Sequence, residues 1–248
     1  MSAPELLALG VSAPELLALG AAMAVASFTQ GTIGFGFALV TAPVLTLIEP
    51  DALPAALLLL ALPMNVFVIG RERGHVDRRG AGTVVVGMIA GTAAGVLVLR
   101  AVPSDRLTVA FGAAILIAVG ASALHPGGEP REGTRLIAGF ASGAVTTVAT
   151  TGGPFIALLY QRARGPVLRS TLATAFLASS TMSLAAQAIA GRLGWFHVRI
   201  AAAMAPGMIV GLWASTYGRT LVDMRWLRPA VLVFAAVSGA GAIVRALL

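Results

Sequence analysis

The sequence predicts an all-α polytopic membrane protein of eight hydrophobic segments in two four-segment repeats, with the first segment of each repeat broken or re-entrant. Three observations carry this expectation. Of 248 residues, 58% are hydrophobic and only 11% charged, whereas a soluble domain carries about a quarter charged residues. The apolar residues fall in long runs separated by short, arginine-bearing connections. Two of those runs are interrupted by glycine-rich and threonine-rich stretches at corresponding places.

Runs of 18 or more apolar residues read as membrane helices. They lie near 16–48, 52–70, 81–99, 107–124, 136–161, 170–190, 200–218 and 229–247. Connections such as Arg71-Glu-Arg-Gly-His-Val-Asp-Arg-Arg-Gly80 and His125-Pro-Gly-Gly-Glu-Pro-Arg131 separate them, and Gly and Pro there oppose continued helix. The second of these, near mid-chain, reads as a linker over 125–135 between repeats at 1–124 and 136–248. The net charge of +7 comes entirely from arginines placed between or at the edges of apolar runs. Membrane topology asks for that placement, because charge at the bilayer centre is expensive, so nucleic acid is not expected as a partner. With no cysteine, neither a disulfide nor a thiolate metal site is available. His75, His125 and His197 lie in separate polar connections, so no metal and no cofactor is expected. The start of the chain lacks a basic n-region and a cleavage site, so its apolar residues are expected to be retained. Ser2 to Gly10 recurs as Ser12 to Gly20, a local duplication.

The repeat itself emerges on laying the halves over each other. The offset that carries Gly74 and Arg79 onto Gly194 and Arg199 also carries Gly87-Met-Ile-Ala-Gly91 onto Gly207-Met-Ile-Val-Gly211. A slightly shorter offset earlier in each half sets Gly36 against Gly153 and Pro50 against Pro166. The rows Gly87-xxx-Gly91-xxx-Gly95 and Gly207-xxx-Gly211 read as packing surfaces, since small residues at that spacing let two membrane helices approach closely.

As one helix, residues 16–48 would be about 50 Å long, well beyond the roughly 30 Å hydrocarbon layer. Thr29-Gln-Gly-Thr-Ile-Gly-Phe-Gly36 interrupts it, and Thr146-Thr-Val-Ala-Thr-Thr-Gly-Gly-Pro154 interrupts 136–161. If every segment crosses, the arginines divide evenly between the two faces. If the first segment of each repeat enters and leaves on one side, most of the 17 arginines collect on one face, as topology rules require. That arrangement leaves three crossings per repeat and inverts the halves, as in many secondary transporters.

Where a helix breaks inside lipid, its backbone groups must find partners in protein, water or substrate. The half-helices that start near Gly36 and Pro154 would aim free N–H groups and positive dipole ends at the midplane, where two such ends suit an anion. The candidate substrate-binding residues are Gln30, Thr32, Gly34, Gly36, Asn65, Thr150, Thr151, Gly152 and Gly153. Thr29 is a further hydroxyl beside the first break, and Thr181 and Gln187 stand in the segment matching that of Asn65. Against this stands a plainer reading, in which glycines serve packing and threonines bond their own backbone. No charged side chain stands in the middle of an apolar run, so the expected anion site uses no fixed cation and no carboxylate relay. Serines and threonines lack a nearby base, so an enzyme is not expected.

The chain resembles the sulfite exporter TauE/SafE family of bacterial permeases. The resemblance rests on Gly31-Thr-Ile-Gly-Phe-Gly36 followed by Pro43, on Gly74-His-Val-Asp-Arg-Arg79 before a glycine-spaced helix, and on Thr150-Thr-Gly-Gly-Pro154 opening the second half. It departs from the family's glycine run at Phe35, Phe37 and Ala38. The resemblance implies a multi-pass inner-membrane permease that moves sulfite, a sulfonate or a related organosulfur anion. An anion channel or a non-transporting scaffold is the alternative. The partners implied are a small anion, the lipid bilayer and, as an open alternative, a second copy of the chain; the sequence names no coupling ion.

Overall fold

The computed structural model describes residues 12–101, 131–149, 153–160, 163–189 and 191–221, with isolated positions at 113, 116 and between 229 and 244. The described residues are helical, with no strand among them. In chain order the helices are α1 (Ala13–Ile33), α2 (Phe37–Ile48), α3 (Ala55–Arg71), α4 (Arg78–Ala101), α5 (Glu132–Ala149), α6 (Gly153–Tyr160), α7 (Gly165–Ile189) and α8 (Trp195–Leu221). A 3-10 turn at Pro50–Ala52 precedes α3. Three helical stretches are long and apolar enough to cross a membrane: Ala13–Ile33, Gly165–Ile189 and Trp195–Arg219. The segments expected at 107–124 and 229–247 lie outside the described residues apart from isolated positions.

Local chemistry sets the helix starts. Ser12 caps α1, and its N–H donates to Glu15 Oε2 at 2.7 Å, the reciprocal half of a capping box. Asp77 caps α4: its carboxylate accepts the Gly80 N–H at 2.9 Å and its carbonyl the Ala81 N–H at 2.7 Å. At α8 the Gly194 N–H donates to His197 Nδ1 at 3.1 Å.

The chain forms two compact units, which are not its consecutive halves. One comprises Met1–Arg73 with Phe176–Val222, and the other Gly74–Ala175 with Asp223–Leu248. In the first, α1 packs along α8 around Leu19, Met23, Leu45, Met64, Ile200 and Met204. A methyl on Gly207 would meet the Gly20 carbonyl, one on Gly211 the Ala24 carbonyl, and one on Gly31 the Ser215 side chain. These contacts advance in the same direction along both helices, so α1 and α8 are parallel neighbours.

In the second unit, α4 packs along α5 in the same manner. Gly87 and Gly91 lie against the carbonyls of Leu136 and Phe140, and Gly139 and Gly143 against those of Val84 and Met88. The two glycine rows therefore serve as backbone contact surfaces, the packing reading of the sequence. Counted along the apolar runs read from the sequence, the first run pairs with the seventh and the third with the fifth.

Candidate functional site

The site at the first break is built from glycine backbone conformations. α1 stops at Ile33, and Gly34 and Gly36 both adopt φ of 106°. Side-chain-bearing residues rarely adopt that conformation, so these two positions require glycine. Gln30 ties the break together. Its backbone carbonyl accepts the Gly34 N–H at 2.8 Å, and its Oε1 accepts the Phe37 N–H at 3.3 Å. The sequence reading gave Gln30 as a candidate substrate-binding residue. Its oxygen caps the first turn of α2, where an N–H would otherwise lack a partner, which leaves the NH2 end as its donor.

The threonines divide. The Thr29 hydroxyl donates to the Val25 carbonyl of its own helix at 2.8 Å, the plainer reading, while its methyl lies 3.1 Å from where a Cβ on Gly36 would stand. Thr32 is buried with its hydroxyl on the α8 side, 3.1 Å from a Cβ built on Gly218. At 21 residues, α1 is about 32 Å long, enough to cross the hydrocarbon layer. The break therefore follows a helix of membrane length. The segment begins at Ala13, and its first part already has membrane length.

At that end stands a charged network. The last carbonyls of a helix lack intrahelical donors, and Arg71, the final residue of α3, supplies one by donating from Nη2 to the Gly31 carbonyl. Its Nη1 donates to Ser215 Oγ at 2.8 Å, and its guanidinium carbon lies 5.6 Å from the Phe67 ring centre. Arg71 Nε and Arg219 Nη1 approach the same oxygen, Glu72 Oε1, at 3.5 and 3.0 Å. The Arg71 and Glu72 side chains are 8% and 3% exposed. Among the described residues, the cluster brings two guanidinium groups to one carboxylate. None of these three side chains is among the residues the sequence reading placed at the break. The arginine is at the edge of its apolar run, and its side chain turns back into protein.

The other unit holds a different cluster. Asp77 Oδ2 accepts from Arg135 Nη2 at 2.8 Å and from the Tyr160 hydroxyl at 3.0 Å, and the Asp77 N–H donates to Thr171 Oγ1 at 3.2 Å. Here one arginine balances one carboxylate. Arg169, near the start of α7, is buried and engaged, another cation that the sequence reading left outside the apolar run. At the second interruption α5 ends at Ala149 and α6 begins at Gly153; Thr150, Thr151 and Gly152 lie outside the described residues.

The sequence profile described as sulfite exporter TauE/SafE matches residues 19–242 of this chain. The chain belongs to the sulfite exporter TauE/SafE family. It is accordingly a membrane transporter of a family that handles sulfur compounds, and a small anionic substrate and a bilayer fit that membership. No curated protein and no solved structure matches the chain.

Of the residues singled out in this TauE/SafE chain, Gln30, Thr32, Gly34 and Gly36 are buried around one break. Asn65 is buried on α3, 1% exposed, and its Nδ2 donates to the Ala61 carbonyl of the same helix at 2.8 Å. Its Oδ1 has no hydrogen-bond partner among the described residues. Thr181 is exposed and bonds its own helix at Leu177. Arg71, Glu72 and Arg219 were missed. One signal was available: Arg71 directly follows an apolar run, with an acid next to it.

Proposed function

We propose that this chain is a multi-pass inner-membrane secondary transporter that moves sulfite or an organosulfonate by alternating access. The observation that carries the reading is the Arg71–Glu72–Arg219 network at the first break, where two guanidinium groups converge on one carboxylate oxygen. Burying charge costs several kcal/mol per ion unless it is compensated, so guanidinium groups gathered on one acceptor oxygen suit a site that receives an anion. A guanidinium fork matches the oxygens of a sulfonate or sulfite geometrically as well as in charge. The N-terminus of α2 and the Gln30 NH2 add donors within the same unit, with Thr32, Gly34, Gly36 and Asn65 around them. Thr150, Thr151, Gly152 and Gly153 are proposed to form the corresponding region of the second half.

The architecture proposed with it is the eight-segment one, with two repeats in inverted relation. Three features support it: the matching glycine rows, the exchange of first and third segments between units, and the shortness of α2. At 12 residues α2 is about 18 Å long, too short to cross, which supports a re-entrant segment.

The test is counterflow in proteoliposomes. Labelled sulfite should enter saturably and accumulate transiently against unlabelled sulfite inside. Unsaturable electrical conductance would assign a channel, and no flux of any sulfur anion would leave a scaffold.

A further inference from the structure

Taking the oxyanion reading above as its basis, we infer that Glu72 is a tethered competitor for the substrate anion. Its carboxylate occupies the position between Arg71 and Arg219 that a sulfonate or sulfite oxygen takes on binding.

The geometry supports this in three steps. First, both guanidinium groups converge on a single oxygen, Glu72 Oε1. That is the arrangement an oxyanion demands, filled here by the protein's own carboxylate. Second, each arginine is anchored independently of Glu72. Arg71 holds the Gly31 carbonyl, Ser215 Oγ and the Phe67 face, and Arg219 Nε donates to the Thr216 carbonyl at 3.3 Å. Removal of the carboxylate therefore leaves both forks in place, preorganised for a replacement. Third, Glu72 stands at the exit of α3, where the chain leaves the helix in a turn. The next residues, Arg73, Gly74 and His75, are exposed, and Gly74 has a φ of 86°. A short rotation there carries the carboxylate to water. Exchanging one monoanion for another keeps the buried charge count constant, so the desolvation cost of the arginines is not incurred again.

This differs from a structural ion pair in its consequence for affinity. A structural carboxylate supports the site, and neutralising it weakens substrate binding. A tethered competitor must be displaced, and neutralising it strengthens binding.

The experiment uses the purified full chain in detergent, with methanesulfonate and sulfite as probes and methanesulfonamide as the uncharged control. Binding is read by calorimetry and by the anion-dependent rise in unfolding temperature. Glu72→Gln should bind methanesulfonate roughly tenfold more tightly than the unaltered chain. Glu72→Asp, which keeps the charge on a shorter arm, should fall between. If Glu72→Gln is unstable alone, millimolar methanesulfonate or acetate should restore its folding, because either anion fills the vacated position. Failure of both anions to restore it overturns the inference. Equal or weaker methanesulfonate affinity in Glu72→Gln, with clear binding by the unaltered chain, overturns the competitor role and leaves the permease reading intact. Absence of binding in every variant overturns both.

Discussion

In the unit that holds α1 and α8, two guanidinium groups share one carboxylate at the end of a broken span. In the unit that holds α4 and α5, one guanidinium faces one carboxylate, and that carboxylate also accepts from a phenol and from a helix-start amide. The Asp77 cluster is charge-balanced, its carboxylate filled on both oxygens, and its job is local: it starts α4 and joins that start to α5, α6 and α7. The Glu72 cluster, among the described residues, brings two guanidinium groups to one oxygen and sits where backbone conformation has been given over to glycine. The two clusters thus differ in how many guanidinium groups share a carboxylate, and the proposed anion site is the one where two do.

The largest expected effect breaks the first cluster. Arg71→Gln removes the donor to Gly31 and Ser215 and one of the two cations on Glu72. Truncating one partner of a buried ionic group costs about 3–5 kcal/mol. Sulfite counterflow should fall below detection even in the folded fraction. Arg71→Lys returns the charge without the planar fork, so it should recover much of the stability and little of the transport. Full transport by Arg71→Gln would remove the distinction between the clusters.

The second cluster should behave differently. Asp77→Asn keeps a side-chain oxygen for the Gly80 N–H but gives up the charge facing Arg135. With side chains 25% and 17% exposed, the pair is partly wet, and a loss on the scale of a helix cap, about 1–2 kcal/mol, is expected. Thermal unfolding should register it. Transport per folded molecule should match that of the unaltered chain, and a selective loss of transport would show that the balanced cluster also serves the substrate.

The sequence made the packing legible and the charge network illegible, for different physical reasons. Rows such as Gly87-xxx-Gly91 encode backbone approach directly, because only a missing side chain permits it, and so the α4–α5 and α1–α8 faces could be read in advance. Gly34 and Gly36 marked the break for the same reason. Partners were another matter. The repeats are detected by similarity, and similarity does not say that α1 pairs with α8 or α5 with α4. An arginine at the edge of an apolar run can turn outward to headgroups or inward to protein, and a hydropathy window scores both alike. Glu72 and Arg219 meet across nearly the whole length of the first unit's two chain segments, so no local pattern joins them. Gln30 shows a finer limit: its residue type fixed that it would hydrogen-bond at the break, but whether its oxygen or its nitrogen would do so depended on where α2 restarts.

The smallest expected effect sharpens the role of burial. Arg79 and Glu132 form an ion pair as short as any in the chain's described residues, with Nη2 at 2.6 Å and Nε at 2.7 Å from the same Glu132 oxygen. By distance alone it outranks the Arg219–Glu72 pair at 3.0 Å. Its side chains, however, are 82% and 56% exposed, against 31% and 3% for Arg219 and Glu72. Exposed pairs contribute about 0–1 kcal/mol, because water and salt screen the attraction and two long side chains lose freedom in forming it. Arg79→Gln should therefore move the unfolding free energy by less than about 0.5 kcal/mol, and less still at high salt. Arg219→Gln, which leaves Glu72 buried with one cation fewer, should cost several times as much despite the longer contact. A double-mutant cycle on each pair separates the pairwise energy from the cost of truncation. Equal coupling energies in the two cycles would mean that contact length outweighs burial in this protein, and the special standing given to the Glu72 cluster would go with it.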